Sequence, residues 1–303
     1  MKTPQLPHPN LAQALGLTVE LYIKREDLLD PYGSHKGRSI PHMIKNYTRD
    51  GVREFVISSS GNAAIAAIHS VKIHNENNPD SQISLTVFVG QHVDEHKLHT
   101  ITSLITNHQL PITVEQVERP LQSSTQFAKE KNATLLRQST DDSALFGYHE
   151  LAHELSHIPN LSAVFIPVSS GTTAEGIATG FETTEINPQI HIVQTLACHP
   201  IADTLRTSPP LVEEGQRGVT TSLASAIVDK IAYRSSEVKK YVQSSGGVAW
   251  IPTEQTIQEA IDLLKTEKIE ATGNGALALA GLKTALASGF VPSGAVVCLV
   301  CGR

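Results

Sequence analysis

The chain has 303 residues, three cysteines and a formal net charge of −6, with 24 basic against 30 acidic side chains. This length suffices for one large or two ordinary domains, and an acidic balance without a basic stripe argues against a nucleic-acid partner. No apolar run reaches the roughly 18 residues of a membrane span, the first nine residues lack the apolar stretch of a signal peptide, and an odd cysteine count does not make a disulfide framework. We therefore expect a cytoplasmic protein with no membrane partner.

Strand-like and helical segments alternate along the chain after a proline-containing arm at residues 3–16. The apolar runs at 85–89 and 296–300 are typical of strands buried on both faces of a parallel sheet. The alternation predicts an α/β protein with parallel sheets. The predicted strands are 19–24, 53–58, 83–89, 112–117, 133–137, 163–168, 190–196, 247–251 and 295–300, and the predicted helices are 61–74, 92–107, 122–131, 143–157, 174–184, 254–266 and 274–288.

A lysine stands just before a further predicted helix, Ile40–Tyr47. Residues 33–38 read Gly-Ser-His-Lys-Gly-Arg, which places Lys36 after a Gly/Ser turn. The helix dipole disfavours a cation at a helix start, so the position suits an anion or a lysine that is held neutral and used covalently. Taken alone, however, Lys36 would more simply be a solvent-facing loop residue.

Two later loops have the same form, a strand end followed by small residues and a helix. Residues 57–64 read Ile-Ser-Ser-Ser-Gly-Asn-Ala-Ala, and residues 165–176 read Phe-Ile-Pro-Val-Ser-Ser-Gly-Thr-Thr-Ala-Glu-Gly. Backbone N–H groups at such helix starts bind carboxylate or phosphate. All three motifs begin at predicted strand ends, where open α/β sheets bind ligands.

In this order, the three motifs resemble those of the pyridoxal-phosphate enzymes of the tryptophan synthase β family, also called fold type II. The resemblance implies pyridoxal 5′-phosphate as cofactor, a homodimer and a two-domain parallel-sheet fold. The larger, cofactor-binding domain would comprise residues 1–42 and 146–303, and the smaller α/β domain residues 43–145. The cofactor would lie in the cleft between them.

The same resemblance implies a role for each motif. Lys36 would be the Schiff-base lysine, and Cys301 would face the pyridine nitrogen of the cofactor. Asn62 would bind the 3′-oxygen of the cofactor. The substrate carboxylate would be held by Ser59, Ser60, Gly61 and Asn62, and the cofactor phosphate by Ser169, Ser170, Gly171, Thr172 and Thr173.

The motifs depart from the family pattern in several places. Gly37 stands where the family has aspartate, His35 where it often has phenylalanine, and the loop 169–173 has fewer glycines than usual. Glu270 opens a segment that resembles a helix start of the family but lacks its proline, and it could contact the cofactor side of the cleft. These departures leave open the alternative that the protein is catalytically silent, and that it either binds pyridoxal phosphate without a reaction or no longer binds it.

We expect a lyase that acts on a small amino acid by elimination or replacement at the β- or γ-carbon. The Gly-Ser-x-Lys-x-Arg motif at 33–38 and the segment 147–154 favour a threonine synthase-like enzyme. The segment 24–28 (Lys-Arg-Glu-Asp-Leu) and Cys301 favour the alternative, a serine/threonine dehydratase, and cysteine synthase comes third. Substrate specificity is expected from loops such as 205–222, which match no motif.

Three spacings suggest metal or redox chemistry instead. His149, Glu150 and His153 form the His-Glu-x-x-His string of zinc peptidases, although His157 extends it to a histidine-bearing helix face. A second set of histidines at helical spacing is His92, His96 and His99. Cys298 and Cys301 are spaced as CxxC, but on a strand their side chains would point to opposite faces.

Overall fold

The computed structural model describes residues 2–108, 110–205 and 220–302. The strands are β1 Gln5–Pro7, β2 Leu21–Arg25, β3 Glu54–Ser58, β4 Ser84–Gly90, β5 Ile112–Val117, β6 Thr134–Leu135, β7 Leu161–Pro167, β8 Gln189–Val193, β9 Ala249–Trp250 and β10 Ala295–Val300. The helices are α1 Pro9–Ala14, α2 Lys36–Arg49, α3 Asn62–Asn77, α4 Glu95–His108, α5 Pro120–Lys131, α6 Ser143–Phe146, α7 His149–Leu155, α8 Thr172–Phe181, α9 Pro200–Leu205, α10 Ser235–Ser244, α11 Glu254–Thr266 and α12 Gly273–Ala287.

The chain divides into two compact units, Met1–Leu29 with Tyr148–Arg303, and Asp30–Gly147. The second unit includes α2 because this helix packs on α3 and α6. Residues 30–42, with Lys36, therefore lie in the second unit, whereas the sequence-based limits place them in the larger domain. The domain limits expected from the sequence, 1–42 with 146–303 and 43–145, remain a prediction.

The first unit is built on a six-stranded sheet with the order β1-β2-β10-β7-β8-β9, in which only the β1–β2 pair is antiparallel. Every residue of β10 is buried, as its apolar sequence predicts. Alternate residues of this strand enter two cores. Val297 and Leu299 pack in the core that includes residues of α7, α8 and α10, and Val296 and Cys298 pack in the core that includes residues of α11 and α12.

The second unit contains a fully parallel four-stranded sheet with the order β5-β4-β3-β6. Phe55, Val56 and Ile57 make β3 its buried centre. The parallel sheets in both units confirm the predicted α/β fold class. Among the described residues, none of the helices is long and apolar enough to cross a membrane.

Two helix limits differ from the sequence prediction. Helix α2 begins at Lys36 rather than at Ile40. The predicted helix 143–157 is two helices, α6 and α7, separated at Gly147. A Cβ atom at Gly147 would lie 2.3 Å from the carbonyl oxygen of Arg38, so glycine is required where the backbone of α2 passes.

Candidate functional site

Lys36 is the first residue of α2 and is partly buried in the second unit. The turn before it requires glycine, because Gly33 has a φ of +63°. The backbone closes the first turn of the helix itself, since the N–H groups of Gly37 and Arg38 donate to the carbonyl oxygens of Ser34 and His35, both at 3.0 Å. The lysine thus occupies the positive end of a helix of 14 residues.

Tyr32 explains why glycine replaces the aspartate of the family pattern at position 37. A Cβ atom at Gly37 would lie 2.4 Å from carbon atoms of the Tyr32 ring. Tyr32 is buried, its burial raises the pKa of the phenol above its ordinary value, and its ring makes an edge contact with the ring of His69. The space that an aspartate side chain would need is therefore filled by an aromatic ring.

The loop Ser59–Asn62 joins the buried strand β3 to the 16-residue helix α3. The Ser59 N–H donates to the carbonyl oxygen of Phe88 at 3.2 Å, and the Gly61 N–H donates to Ser59 Oγ at 3.2 Å. These bonds fix a partly buried turn at the carboxyl end of β3. A turn of this kind at a helix start can bind a carboxylate through backbone N–H groups.

In the first unit, the loop after β7 leads into α8 in the same way. Gly171 has a φ of +99°, and a Cβ atom there would lie 3.0 Å from both Arg234 Cβ and Val238 Cγ2. Glycine is therefore required by the backbone conformation and by the close approach of two side chains. The hydroxyls of Ser170 and Thr172, 3.0 Å apart, flank this glycine at the helix start. Small residues, hydroxyls and a helix N-terminus fit a phosphate group.

The hydroxyl of Ser169 is engaged by a segment 60 residues away. It donates to Asp229 Oδ2 at 2.6 Å and accepts from the N–H groups of Val228 and Asp229, both at 3.1 Å. Close by, Glu175 in the first turn of α8 forms a buried ion pair with Arg234 at 3.0 Å. The side chain of Ser169 thus anchors the segment 228–229. Ser169 would therefore bind a phosphate through its backbone N–H group.

Cys301 directly follows β10, the strand between β2 and β7. The parallel register between β10 and β7 runs as far as the pair Cys298 and Phe165, and both Cys301 and Val168, the residue after β7, are buried in the core that includes residues of α7 and α8. The two cysteines belong to opposite cores, Cys301 to that of α7 and α8 and Cys298 to that of α11 and α12. This confirms that their side chains face opposite sides, and burial raises the pKa of the Cys298 thiol above its ordinary value.

The predicted site residues fall into two groups, one in each unit. Lys36 and the loop 59–62 belong to the second unit, and the loop 169–173 and Cys301 to the first. Glu270 is exposed and lies three residues before Gly273, the first residue of α12. Of the predicted specificity segment 205–222, residues 206–219 lie outside the described part of the chain.

The two histidines of the zinc-peptidase spacing lie in different surroundings. His149 Nε2 lies 3.0 Å from Thr179 Oγ1, and burial lowers the pKa of His149 below its ordinary value. His153 is exposed, with its ring 5.0 Å from that of His157. Among the residues whose side chains the structure describes, no three His, Cys, Asp or Glu side chains are grouped to hold a metal ion.

Sequence reasoning missed several residues around these motifs. The Lys-Arg-Glu-Asp segment, taken as a dehydratase signature, is also a charge network: Arg25 binds Asp27 through two hydrogen bonds of 2.9 and 2.7 Å, and Lys24 pairs with Glu154. Asp229 and Arg234 carried no motif signal. Their partners lie about 60 residues away in sequence, so only the fold brings them together.

A comparison with known protein families and sequences agrees with these motifs. The model of the family described as "Pyridoxal-phosphate dependent enzyme" matches residues 1–302. The L-serine dehydratase of Saccharomyces cerevisiae strain YJM789 is 24% identical over 242 residues, which are 73% of this chain and 69% of the yeast protein. The human L-serine dehydratase/L-threonine deaminase is 38% identical over 72 residues, 24% of this chain and 21% of that protein.

Solved structures agree on the fold, and all of those that follow cover 100% of this chain. Threonine deaminase isoform 2 of Solanum lycopersicum has a TM-score of 0.80 at 19% identity, with 79% of its chain covered. The serine racemase of Dictyostelium discoideum has a TM-score of 0.80 at 19% identity, with 92% covered. The L-serine ammonia-lyase of Rhizomucor miehei has a TM-score of 0.79 at 18% identity, with 93% covered. At these identities the likeness establishes the fold alone.

The family match confirms the predicted cofactor and enzyme class, and the yeast relative agrees with a lyase. The family match covers both groups of motifs, which are the lysine at the start of α2 and the loops that lead into α3 and α8. The chain belongs to the family of pyridoxal-phosphate-dependent enzymes.

Proposed function

We propose that the protein is a serine/threonine dehydratase, which releases ammonia from a β-hydroxy amino acid. The observation that carries this proposal is the similarity to L-serine dehydratase along 73% of the chain. The comparisons thus favour the alternative over the threonine synthase-like specificity that the sequence motifs favour, and that specificity is not confirmed. The geometry supports the substrate class, since the motifs comprise one lysine and two helix starts suited to anions.

We assign each motif one task in this reaction. Lys36 holds the cofactor and later takes the proton from the α-carbon of the substrate. The loop 59–62 orients the substrate through its carboxylate, and the loop 169–173 binds the cofactor phosphate. Pyridoxal phosphate, when bound, supplies the electron sink for the charge left on the α-carbon.

Cys301 is assigned to the pyridine nitrogen of the cofactor. It is buried directly after the end of β10. A neutral thiol does not favour a protonated ring nitrogen in the way that a carboxylate would. Such a partner suits elimination of a β-substituent better than transamination.

The test is a product assay with the purified protein supplied with pyridoxal phosphate. We expect 2-oxo acid and ammonia from L-serine or L-threonine, and loss of this activity in Lys36→Ala. Lys45→Ala, an exposed lysine on the same helix, is the matched control and should keep the activity. Phosphate release from O-phosphohomoserine without 2-oxo acid would replace the proposal with a threonine synthase-like reaction. Cofactor binding without any product would indicate the silent protein.

A further inference from the structure

Two fully buried serines near the start of α2 differ in their hydrogen bonding. Ser34 and Ser39 are both 0% exposed. Ser39 Oγ accepts a hydrogen bond from Gln138 Nε2. Ser34 Oγ, in contrast, has no hydrogen-bond partner among the residues that the structure describes. A polar atom buried without a partner loses its contacts with water and gains nothing in exchange.

The helix itself does not explain this hydroxyl. A serine at the N-cap position normally accepts a hydrogen bond from an N–H group of the first turn through its hydroxyl, but the N-cap of α2 is His35, one residue after Ser34. Here the N–H groups of Gly37 and Arg38 donate to backbone carbonyl oxygens, and one of these belongs to Ser34 itself. No side chain caps α2. The Ser34 hydroxyl therefore does not cap α2.

Orphaned buried polar groups are rare in native proteins, and a ligand or water commonly accounts for them. Ser34 is two residues from Lys36, so their Cα atoms are at most about 7.6 Å apart. A hydroxyl can both donate and accept, which suits a polar atom of a cofactor attached to that lysine. We propose that Ser34 is a cofactor-binding residue, whose hydroxyl gains its hydrogen bond when pyridoxal phosphate is bound. This proposal rests on the proposed function.

The experiment compares Ser34→Ala with Ser39→Ala as the matched control. For each protein, the dissociation constant of pyridoxal phosphate is measured by absorbance titration, and the melting temperature is measured with and without the cofactor. For Ser34→Ala we expect an unchanged or higher melting temperature without cofactor, because the orphaned group is gone. We also expect a dissociation constant about 3- to 10-fold higher, because one net hydrogen bond is lost. The rise in melting temperature on cofactor binding should be smaller.

Ser39→Ala should show the opposite pattern: a lower melting temperature without cofactor and the cofactor affinity of the unchanged protein. Ser34→Cys, which nearly keeps the volume but bonds weakly, replaces Ser34→Ala if that variant fails to fold. A wild-type affinity in the Ser34 variants would overturn the proposal. So would a loss of cofactor-free stability equal to that of Ser39→Ala, since the hydroxyl would then already have a partner such as buried water. If the unchanged protein binds no cofactor, the proposed function fails instead.

Discussion

Lys24 Nζ donates a hydrogen bond to Glu154 Oε2, which joins the end of β2 to helix α7 inside the first unit. Lys24 is fully buried and Glu154 is 6% exposed. The ammonium also donates to the carbonyl oxygen of Thr3 at 3.0 Å and to Gln5 Oε1 at 3.1 Å. A segment that resembles a dehydratase signature in sequence therefore also ties the N-terminal arm to the sheet.

Breaking this pair should destabilise the protein strongly. Glu154→Gln removes the carboxylate that pairs with the buried Lys24 ammonium, and we expect a loss of about 3–5 kcal/mol in the free energy of unfolding. The measurement is a urea titration. The control is Glu237→Gln, which removes the exposed pair of Glu237 with Lys240 at 3.9 Å and should cost under about 1 kcal/mol. Equal effects of the two variants would contradict a structural role for the buried pair.

A second prediction concerns the conformation of Gly171. Gly171→Ala places a Cβ atom 3.0 Å from Arg234 and Val238 on a residue with a φ of +99°, and should distort the loop 169–173. Gly289 is the matched control, because its φ is +87° and a Cβ there meets nothing within 4 Å. We expect both alanine variants to lose about 1–2 kcal/mol of stability to backbone strain, but only Gly171→Ala to lose affinity for pyridoxal phosphate, measured by absorbance titration. Equal cofactor affinities would remove the loop 169–173 from the proposed site.

A third prediction restores the aspartate of the family pattern. Gly37→Asp drives a Cβ atom into the ring of Tyr32 at 2.4 Å, and should lower the free energy of unfolding by about 1–3 kcal/mol or more. In a Tyr32→Ala background the same substitution should cost less, because the ring is gone. The measurement is a double-mutant cycle by urea unfolding. Additive effects would show that Tyr32 does not determine the residue at position 37.

The fold class and the positions of the motifs could be predicted because they depend on local patterns. The solid apolar run at 296–300 indicated a strand buried on both faces, and β10 is such a strand. The sequence prediction begins this helix at Ile40, whereas backbone hydrogen bonds to the carbonyl oxygens of Ser34 and His35 close a turn that begins the helix at Lys36.

Contacts between residues far apart in the sequence could not be predicted, for a different reason. The bond between Ser169 and Asp229 joins residues 60 apart, and the pair of Lys24 and Glu154 joins residues 130 apart. No local pattern encodes such pairs, because the sheet order β2-β10-β7 and the helices packed on it decide which side chains meet. Sequence could therefore suggest which residues carry chemistry, but not which residues hold them in place.

The last prediction concerns pH. His191 is fully buried, and Phe165 stacks on its ring with centroids 4.6 Å apart. Its Nδ1 accepts hydrogen bonds from the Val248 N–H and from Trp250 Nε1, both at 3.1 Å. These bonds require a lone pair on Nδ1, and burial lowers the pKa of His191 to about 4. The folded protein thus keeps a neutral imidazole where the unfolded chain, with a histidine pKa of about 6.5, takes up a proton.

Because the unfolded state binds more protons between these two pKa values, stability falls as the pH drops from about 6.5 to about 4. The full difference corresponds to about 3 kcal/mol. His191→Asn retains a side-chain acceptor and cannot titrate. We expect it to lower stability at pH 8 through lost stacking, but to flatten the decline between pH 6.5 and 4 in urea unfolding measurements. His157→Asn, an exposed histidine in the same unit, should leave the decline unchanged. If the stability of His191→Asn declines as steeply as that of the unchanged protein, groups other than His191 determine the acid sensitivity of the fold.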